Sequence, residues 1–432
     1  MSRGQKGINQ VRSALSKLLS TGFFNIVGSS ILNRIITFLS GMILVRVLSK
    51  SEYGSYSYAL NIINYFILIN GLGASSCVVQ FCVEQRDEQR AEEAYRVICW
   101  IGIIWDVFLT LAILFVGLFV TLPMEGANEL MLWLAPFPFV SLLVELQQQR
   151  LRSQFRTSQY AWATNINTTL VVIFSVGGAL LASSVGLSIG RTFAMIATIF
   201  VVLSLFRVTV FKKPHHISKE LIVDVVKMSS TVCATNAVSQ ALILVGTSLV
   251  GSVIANPEIT ATYSTSTTIP FALSFIPSMI ITYVMPYFVQ NACNRRWVLR
   301  SWALCTLAVF IIAVPIWLIC IIFSDELISL IFGLRYLDSV PSFCVLMTAF
   351  LISAPLRTVS GNILASHRKY VFNLGSNIVS LVICFVVSFS TLARFGIVGA
   401  SIGYLAAMMS GSLINIVGIF LFAGKPNRRI ER

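Results

Sequence analysis

Ser301–Phe323 reads SWALCTLAVFIIAVPIWLICIIF, 23 residues without one charged side chain. At 1.5 Å per residue a helix of this length rises about 34 Å, enough to cross a hydrocarbon core of about 30 Å. Inside such a core the backbone must satisfy its own polar groups, so the stretch is expected to be a transmembrane α-helix. Reading outward in both directions, similar runs recur over the whole chain. The expected spans are 23–46, 56–83, 97–121, 130–149, 161–183, 190–211, 228–251, 261–290, 301–323, 341–364, 371–391 and 398–422. The fold class is therefore an all-α membrane protein of about twelve transmembrane helices. Composition agrees: of 432 residues, 56% are hydrophobic and 11% charged, with a mean hydropathy of +0.84. Such values belong to chains embedded in a bilayer and leave no stretch for a water-soluble domain.

An even number of spans puts both ends on one side. If that side is the cytoplasm, the cytoplasmic segments hold 23 Lys and Arg, including Lys212, Lys213, Arg295, Arg296, Arg428 and Arg429. The opposite loops hold four, Lys50, Arg191, Arg335 and Arg394. This asymmetry orients the chain by the positive-inside rule and accounts for most of its +14 charge without nucleic acid. Residues 1–20 place Ile8, Val11, Leu15, Leu18 and Leu19 at helical spacing among Lys6, Arg12 and Lys17, as in a cytoplasmic interfacial helix. The hydrophilic segment 212–227 then separates a six-span half, 21–211, from a second, 228–422, which a short tail, 423–432, follows. Two halves of equal topology suggest a parallel repeat with the substrate path between them.

Several spans carry polar stripes: Asn25, Ser29, Asn33 and Thr37; Ser57, Asn61 and Asn64; Asn236 and Gln240; Asn373, Asn377 and Ser380. Each stripe alone can serve interhelical packing. Together with the run Thr260 to Thr268, their concentration in the first two spans of each half points to a hydrated cavity. The eighth span contains Pro270, Pro277 and Pro286, each of which removes a backbone hydrogen bond; these are gate or kink candidates. Intramembrane charges are costly and so are functional hypotheses by default. Arg34 lies about 16 Å into the first span and Asp106 about 14 Å into the third, from the cytoplasmic end. Arg34 is expected either to present a guanidinium to phosphate or to pair with Asp106, itself the candidate for ion coupling. Arg357 enters the tenth span with Ser353 and Gly361 one turn away. Glu145, Arg46 and Arg207 are expected to snorkel from span ends.

The segment Arg46-Val47-Leu48-Ser49-Lys50-Ser51-Glu52-Tyr53-Gly54-Ser55-Tyr56 resembles the start of Wzx-type O-antigen and polysaccharide flippases. Gly71 to Ser75, Gln147 to Tyr160, Leu364 to Tyr370 and Phe395 to Ala400 extend the likeness over essentially the whole chain. That family belongs to the multidrug/oligosaccharidyl-lipid/polysaccharide (MOP) exporter superfamily. The resemblance implies a V-shaped, MATE-like pair of six-helix bundles that alternately opens to each side of a bacterial inner membrane. Its expected substrate is an undecaprenyl-pyrophosphate-linked oligosaccharide moved from cytoplasm to periplasm, and its candidate partners are a polysaccharide polymerase and a chain-length regulator, besides membrane lipids. Arg34, twelve residues before Arg46, matches a first-span arginine that the lipid II flippases use around pyrophosphate. Ser40 stands where that relative has a second arginine, and the first span lacks the carboxylate that many multidrug extruders use for cation coupling.

Other classes fare poorly. The nine cysteines show no CxxC or metal-ligand spacing, and His215, His216 and His367 fall in short hydrophilic connections, so neither metal nor cofactor is expected. No Walker-type glycine loop occurs. A membrane polymerase or glycosyltransferase wants catalytic carboxylates in a large extracytoplasmic loop. The longest such loop, Ser324 to Val340, offers only Asp325, Glu326 and Asp338. No catalytic residue is expected. The candidate cavity residues are Arg34, Arg357, Asn33, Asn61, Asn64, Asn236, Gln240, Asn373 and Asn377, and the alternative transport reading is a multidrug or cation antiporter.

Overall fold

A computed structural model describes residues 23–84, 87–212, 219–367 and 369–424. The expected interfacial helix at 1–20 and most of the tail lie outside the described residues. Eleven helical runs among the described residues are long and apolar enough to cross a membrane: Gly28–Val47, Lys50–Glu84, Glu88–Phe119, Ala127–Ser153, Thr157–Phe206, Lys219–Ile254, Pro257–Ile281, Arg295–Ile322, Leu334–Ser366, Val371–Phe395 and Ile397–Phe422. One of them contains two spans. Thr157–Phe206 is 50 residues long and loses helical backbone angles at Ala182 and Ser183. In a straight helix Gly178 and Gly186 would stand about 12 Å apart. Here a Cβ on Gly178 would lie 2.0 Å from the Gly186 carbonyl oxygen, and one on Gly190 2.1 Å from that of Phe174. The run therefore folds back on itself, and glycine at these positions lets the two arms touch backbone to backbone. This supplies the fifth and sixth of twelve spans.

The helices sort into two compact units. One contains residues up to Val47, Ile69–Val120 and Leu130–Cys233; the other contains Leu48–Leu68, Thr121–Glu129 and the chain from Ala234 onward. The second span is thus shared between units. Its Lys50–Ile67 helix begins with a reciprocal capping box, in which the Ser49 hydroxyl accepts from the Glu52 N–H and the Glu52 carboxylate accepts from the Ser49 N–H. Within its unit it lies so close to the eighth span that a Cβ on Gly54 would be 1.8 Å from the Pro257 carbonyl oxygen.

Each unit has its own apolar core. In the first, Ala74, Val78, Tyr95, Ile98, Leu142 and Leu146 are buried together. In the second, Leu242, Val245, Tyr263, Ala349, Ala400 and Met408 do the same. Large apolar side chains such as Phe108, Leu181, Phe200 and Leu413 are more than half exposed on the outside, as lipid-facing positions require. Close helix contact relies on small residues, Gly403 packing on Ser388 and Gly399 on Thr391 between the eleventh and twelfth spans.

The basic residues of the sparsely charged loops are all engaged. Lys50 pairs with Asp338 at 3.5 Å, and Arg335 donates to the Leu48 carbonyl at 2.7 Å. Arg191 stacks over Phe137 and Arg394 over Phe395.

Candidate functional site

In the second unit the polar interior is built around Arg357. The tenth span is α-helical over Val340–Ile352, widens into a π-helical turn at Ser353–Thr358 and resumes at Val359–Ser366. Pro355 lies in this turn and has no N–H for the ladder, so the backbone must rearrange around it. Such π-bulges often accompany functional positions. Arg357 follows two residues later and points into the unit. Its Nη2 donates to Asn377 Oδ1 at 2.9 Å, and Nη1 meets the Met408 sulfur at 3.3 Å. Asn377 in turn donates to the Ser239 hydroxyl at 2.7 Å. The guanidinium fits because residue 411 is glycine: a Cβ there would lie 2.8 Å from Arg357 Nε and 2.6 Å from the Ser380 hydroxyl.

What Arg357 lacks decides its chemistry. Among the described residues no carboxylate forms an ion pair with it. A guanidinium has five donors and stays charged in a dry site; here its hydrogen-bond acceptors are an amide oxygen and a weakly accepting thioether. A partly buried cation of this kind attracts an anion, and its planar fork matches the oxygens of a phosphate or carboxylate.

The sequence-predicted residues divide around this cluster. Arg357 and Asn377 come together directly. Asn373, one turn from Asn377, instead donates to the Gly361 carbonyl at 2.7 Å and leaves its own oxygen without a partner. Asn236 and Gln240 are exposed on the seventh span, and their neighbour Ser239 is the residue that reaches Asn377. Asn61 is buried and donates to the Ser248 hydroxyl at 2.7 Å, which donates on to the Tyr65 hydroxyl at 2.9 Å; this is a helix-packing contact. Asn64 is half-buried on the same helix. Pro270 and Pro277 flank the point, Ser274, where the eighth span breaks into Pro257–Leu273 and Phe275–Gln290; Pro286 lies in the latter. His367, expected in a hydrophilic connection, is buried, with Nδ1 2.9 Å from the Ile363 carbonyl.

In the first unit, Arg34 is exposed on a first span that also exposes Leu32, Ile35, Leu39 and Ile43. Beside it the Asn33 side-chain oxygen is buried without a partner, and Ser29 donates to Asn165. The anticipated pair between Arg34 and Asp106 does not form. Asp106 is fully buried, and its Oδ1 accepts the Gly71 N–H at 2.6 Å. That N–H is available because the second span unwinds at Asn70–Gly73, where Gly71 and Leu72 adopt left-handed angles. Glu145 lies along the Phe137–Ser153 helix and is exposed. The sequence carried a signal for this break, Gly71-Leu72-Gly73 inside an apolar run. None existed for Met408, Ser239 or Gly411, whose roles arise from distant helices.

A cavity of about 1470 Å³ opens at the helix ends of the first unit, lined by Glu84, Asp87, Glu93, Arg156, Arg207, Lys212 and Asp224 among others. Its lining mixes acidic and basic side chains, some of them paired. Arg150 is 2.7 Å from Glu92 and stacks over Tyr95, while Arg96 bonds Glu93 at 3.0 Å. With both signs along its lining the cavity has little net preference for either, unlike the environment of Arg357.

The lipid II flippase MurJ in an inward closed conformation superposes with a TM-score of 0.76 at 12% identity, covering 91% of this chain and 87% of that one. An inward-facing multidrug resistance MATE family transporter of the MOP superfamily gives 0.72 at 13% identity, covering 90% and 94%. A MOP superfamily transporter from Pyrococcus furiosus, whose binding pocket is described as reversed in polarity, gives 0.56 at 13% identity, covering 93% and 92%. At these identities the likeness establishes the twelve-helix, two-lobe transporter fold. Comparison with curated proteins gives no match. The family described as "Polysaccharide biosynthesis protein" matches residues 19–292, well over half of the chain. This multi-pass membrane chain, with its transporter fold and polar helix interiors, thus belongs to the polysaccharide biosynthesis protein family.

Proposed function

We propose that this protein is a flippase that moves an undecaprenyl-pyrophosphate-linked oligosaccharide, an O-antigen or other polysaccharide repeat unit, from the cytoplasmic to the periplasmic leaflet of a bacterial inner membrane. The observation that carries the reading is Arg357, a guanidinium inside a membrane unit with amide and thioether neighbours in place of a carboxylate. An anionic headgroup supplies the missing charge. Asn377 and Ser239 offer hydrogen bonds suited to phosphate or sugar hydroxyls, and Arg34 gives a second cation at membrane depth. The polyprenyl tail stays in lipid while the two lobes alternate access. With both termini cytoplasmic, the basic loops face the cytoplasm. A polysaccharide polymerase and a chain-length regulator are the partners that would receive the product.

A multidrug or cation antiporter is the second reading, supported by the shared fold and by the buried carboxylate of Asp106. The two separate in one experiment. Depleting the protein is expected to accumulate the lipid-linked glycan on the cytoplasmic leaflet. Wild type should restore export, whereas Arg357→Gln and Arg34→Ala, present at equal membrane level, should restore about tenfold less, consistent with loss of one charge-assisted contact. If depletion leaves the glycan crossing normally but unpolymerised, the flippase reading fails in favour of a polymerase. If it alters only resistance to organic cations, the antiporter stands.

A further inference from the structure

The unwound turn at Asn70–Gly73 takes no part in the Arg357 cluster, yet it holds the most thoroughly buried acid described above. Three successive residues, Gly71, Leu72 and Gly73, have φ of 54°, 51° and 76°, so the ladder of the second span is interrupted there. The neighbouring third span closes on the gap from two positions. The Trp105 indole N–H donates to the Ile69 carbonyl at 2.8 Å, and Asp106 Oδ1 accepts from Gly71. Asn70 is 8% exposed and donates only a long 3.4 Å bond to the Ser141 hydroxyl. Two oxygens at this spot remain buried with no partner: Asp106 Oδ2 and Asn70 Oδ1.

Two orphan acceptors at one unwound turn want a positive centre. Asp106 accepts from the Gly71 N–H of the second span, next to Asn70, which itself bonds Ser141 of the fourth; Glu145, exposed on the fourth span, is within electrostatic reach of the acid. Among the described residues no Lys, Arg or His pairs with it. An ionised carboxylate held by one N–H, with a second carboxylate near, is strongly disfavoured in a desolvated setting. Unwound helices at membrane depth meet this need in transporters by presenting oxygens to a small cation.

We propose that Asp106, with Asn70 at the break in the second span, forms a monovalent-cation site that binds a proton or a sodium ion. The cation sits on Asp106 Oδ2 and turns toward Asn70 Oδ1, while Oδ1 of Asp106 keeps its bond to Gly71. Occupancy neutralises the acid and ties the third span to the unwound turn; release leaves a buried charge and loosens that contact. The site deepens the transport reading by giving the carrier an ion to couple to, but its binding can be measured without any transport.

The test uses the purified full-length protein in detergent. Binding of radioactive ²²Na⁺ is measured at fixed pH, and infrared difference spectra between acid and alkaline buffer, with choline replacing sodium, report a protonated carboxyl group. Asp106→Asn keeps an acceptor for Gly71 and so preserves the fold, which size-exclusion and circular dichroism verify. A sodium site gives saturable ²²Na⁺ binding that Asp106→Asn abolishes and Asn70→Ala weakens about tenfold. A proton site gives a carboxyl band on acidification that Asp106→Asn removes and Asn70→Ala shifts. Absence of both signals in wild type, or their persistence in Asp106→Asn, overturns the proposal. Failure of the flippase reading leaves these signals unchanged, so the two conclusions stand or fall separately.

Discussion

Gly411 shows how a single missing side chain can set the chemistry of a membrane site. A methyl group here would press on Arg357 Nε at 2.8 Å and on the Ser380 hydroxyl at 2.6 Å. The hydroxyl can turn, but the guanidinium is held by Asn377 and Met408. Gly411→Ala is therefore expected to destabilise the protein by about 1–3 kcal/mol, the usual range for overpacking, seen as a lower unfolding midpoint in detergent. Most of the loss should vanish in an Arg357→Ala background, because the clash needs both partners. An equal loss in both backgrounds would mean that Gly411 acts on the backbone alone. By contrast the Lys50–Asp338 pair, with Asp338 81% exposed, holds its loop by modest attraction.

Among the elements, the fold-back of Thr157–Phe206 rests on Gly178, Gly186 and Gly190, each touching backbone carbonyl oxygen that cannot yield. Gly186→Leu should force the arms apart and sharply reduce the folded fraction recovered from membranes. Gly177→Leu, at a glycine with open space beside it, should be recovered at normal yield and serves as the control. The breaks in the second, eighth and tenth spans have different origins. Left-handed Gly71 and Leu72 unwind the second, paired prolines flank the interruption of the eighth, and Pro355 sits in the π turn of the tenth. The second- and tenth-span breaks lie beside buried polar groups, where irregular backbone is tolerated because protein covers it, whereas the eighth-span break falls at the exposed Ser274. The tenth-span break aims Arg357, and the second-span break frees the N–H that Asp106 takes.

For the whole molecule, charge sorting across the bilayer makes a direct prediction of topology. Ser184, at the turn between the fifth and sixth spans, and Cys293, exposed in the basic connection before the ninth, are expected on opposite faces by the proposed topology. In intact cells a membrane-impermeant thiol reagent should label Ser184→Cys and leave Cys293 unlabelled until the membrane is opened. Labelling in the reverse order would invert the proposed orientation and the direction of transport with it.

The sequence by itself determined the class of this protein, because the need to satisfy backbone polar groups in lipid leaves apolar runs of about 20 residues one common outcome, the spanning helix. It also marked Arg357, Asn377 and Asp106, since polar side chains in apolar runs stand out without any knowledge of their neighbours. It did not reveal that the second span is divided between two units. Only tertiary structure decided partners: Asp106 bonds a freed backbone N–H rather than Arg34, Asn61 serves packing, and Arg357 meets Met408 and the space at Gly411. The reason is physical. Periodicity fixes which face of a helix a residue occupies, whereas the identity of the helix opposite that face depends on packing between segments far apart in the chain.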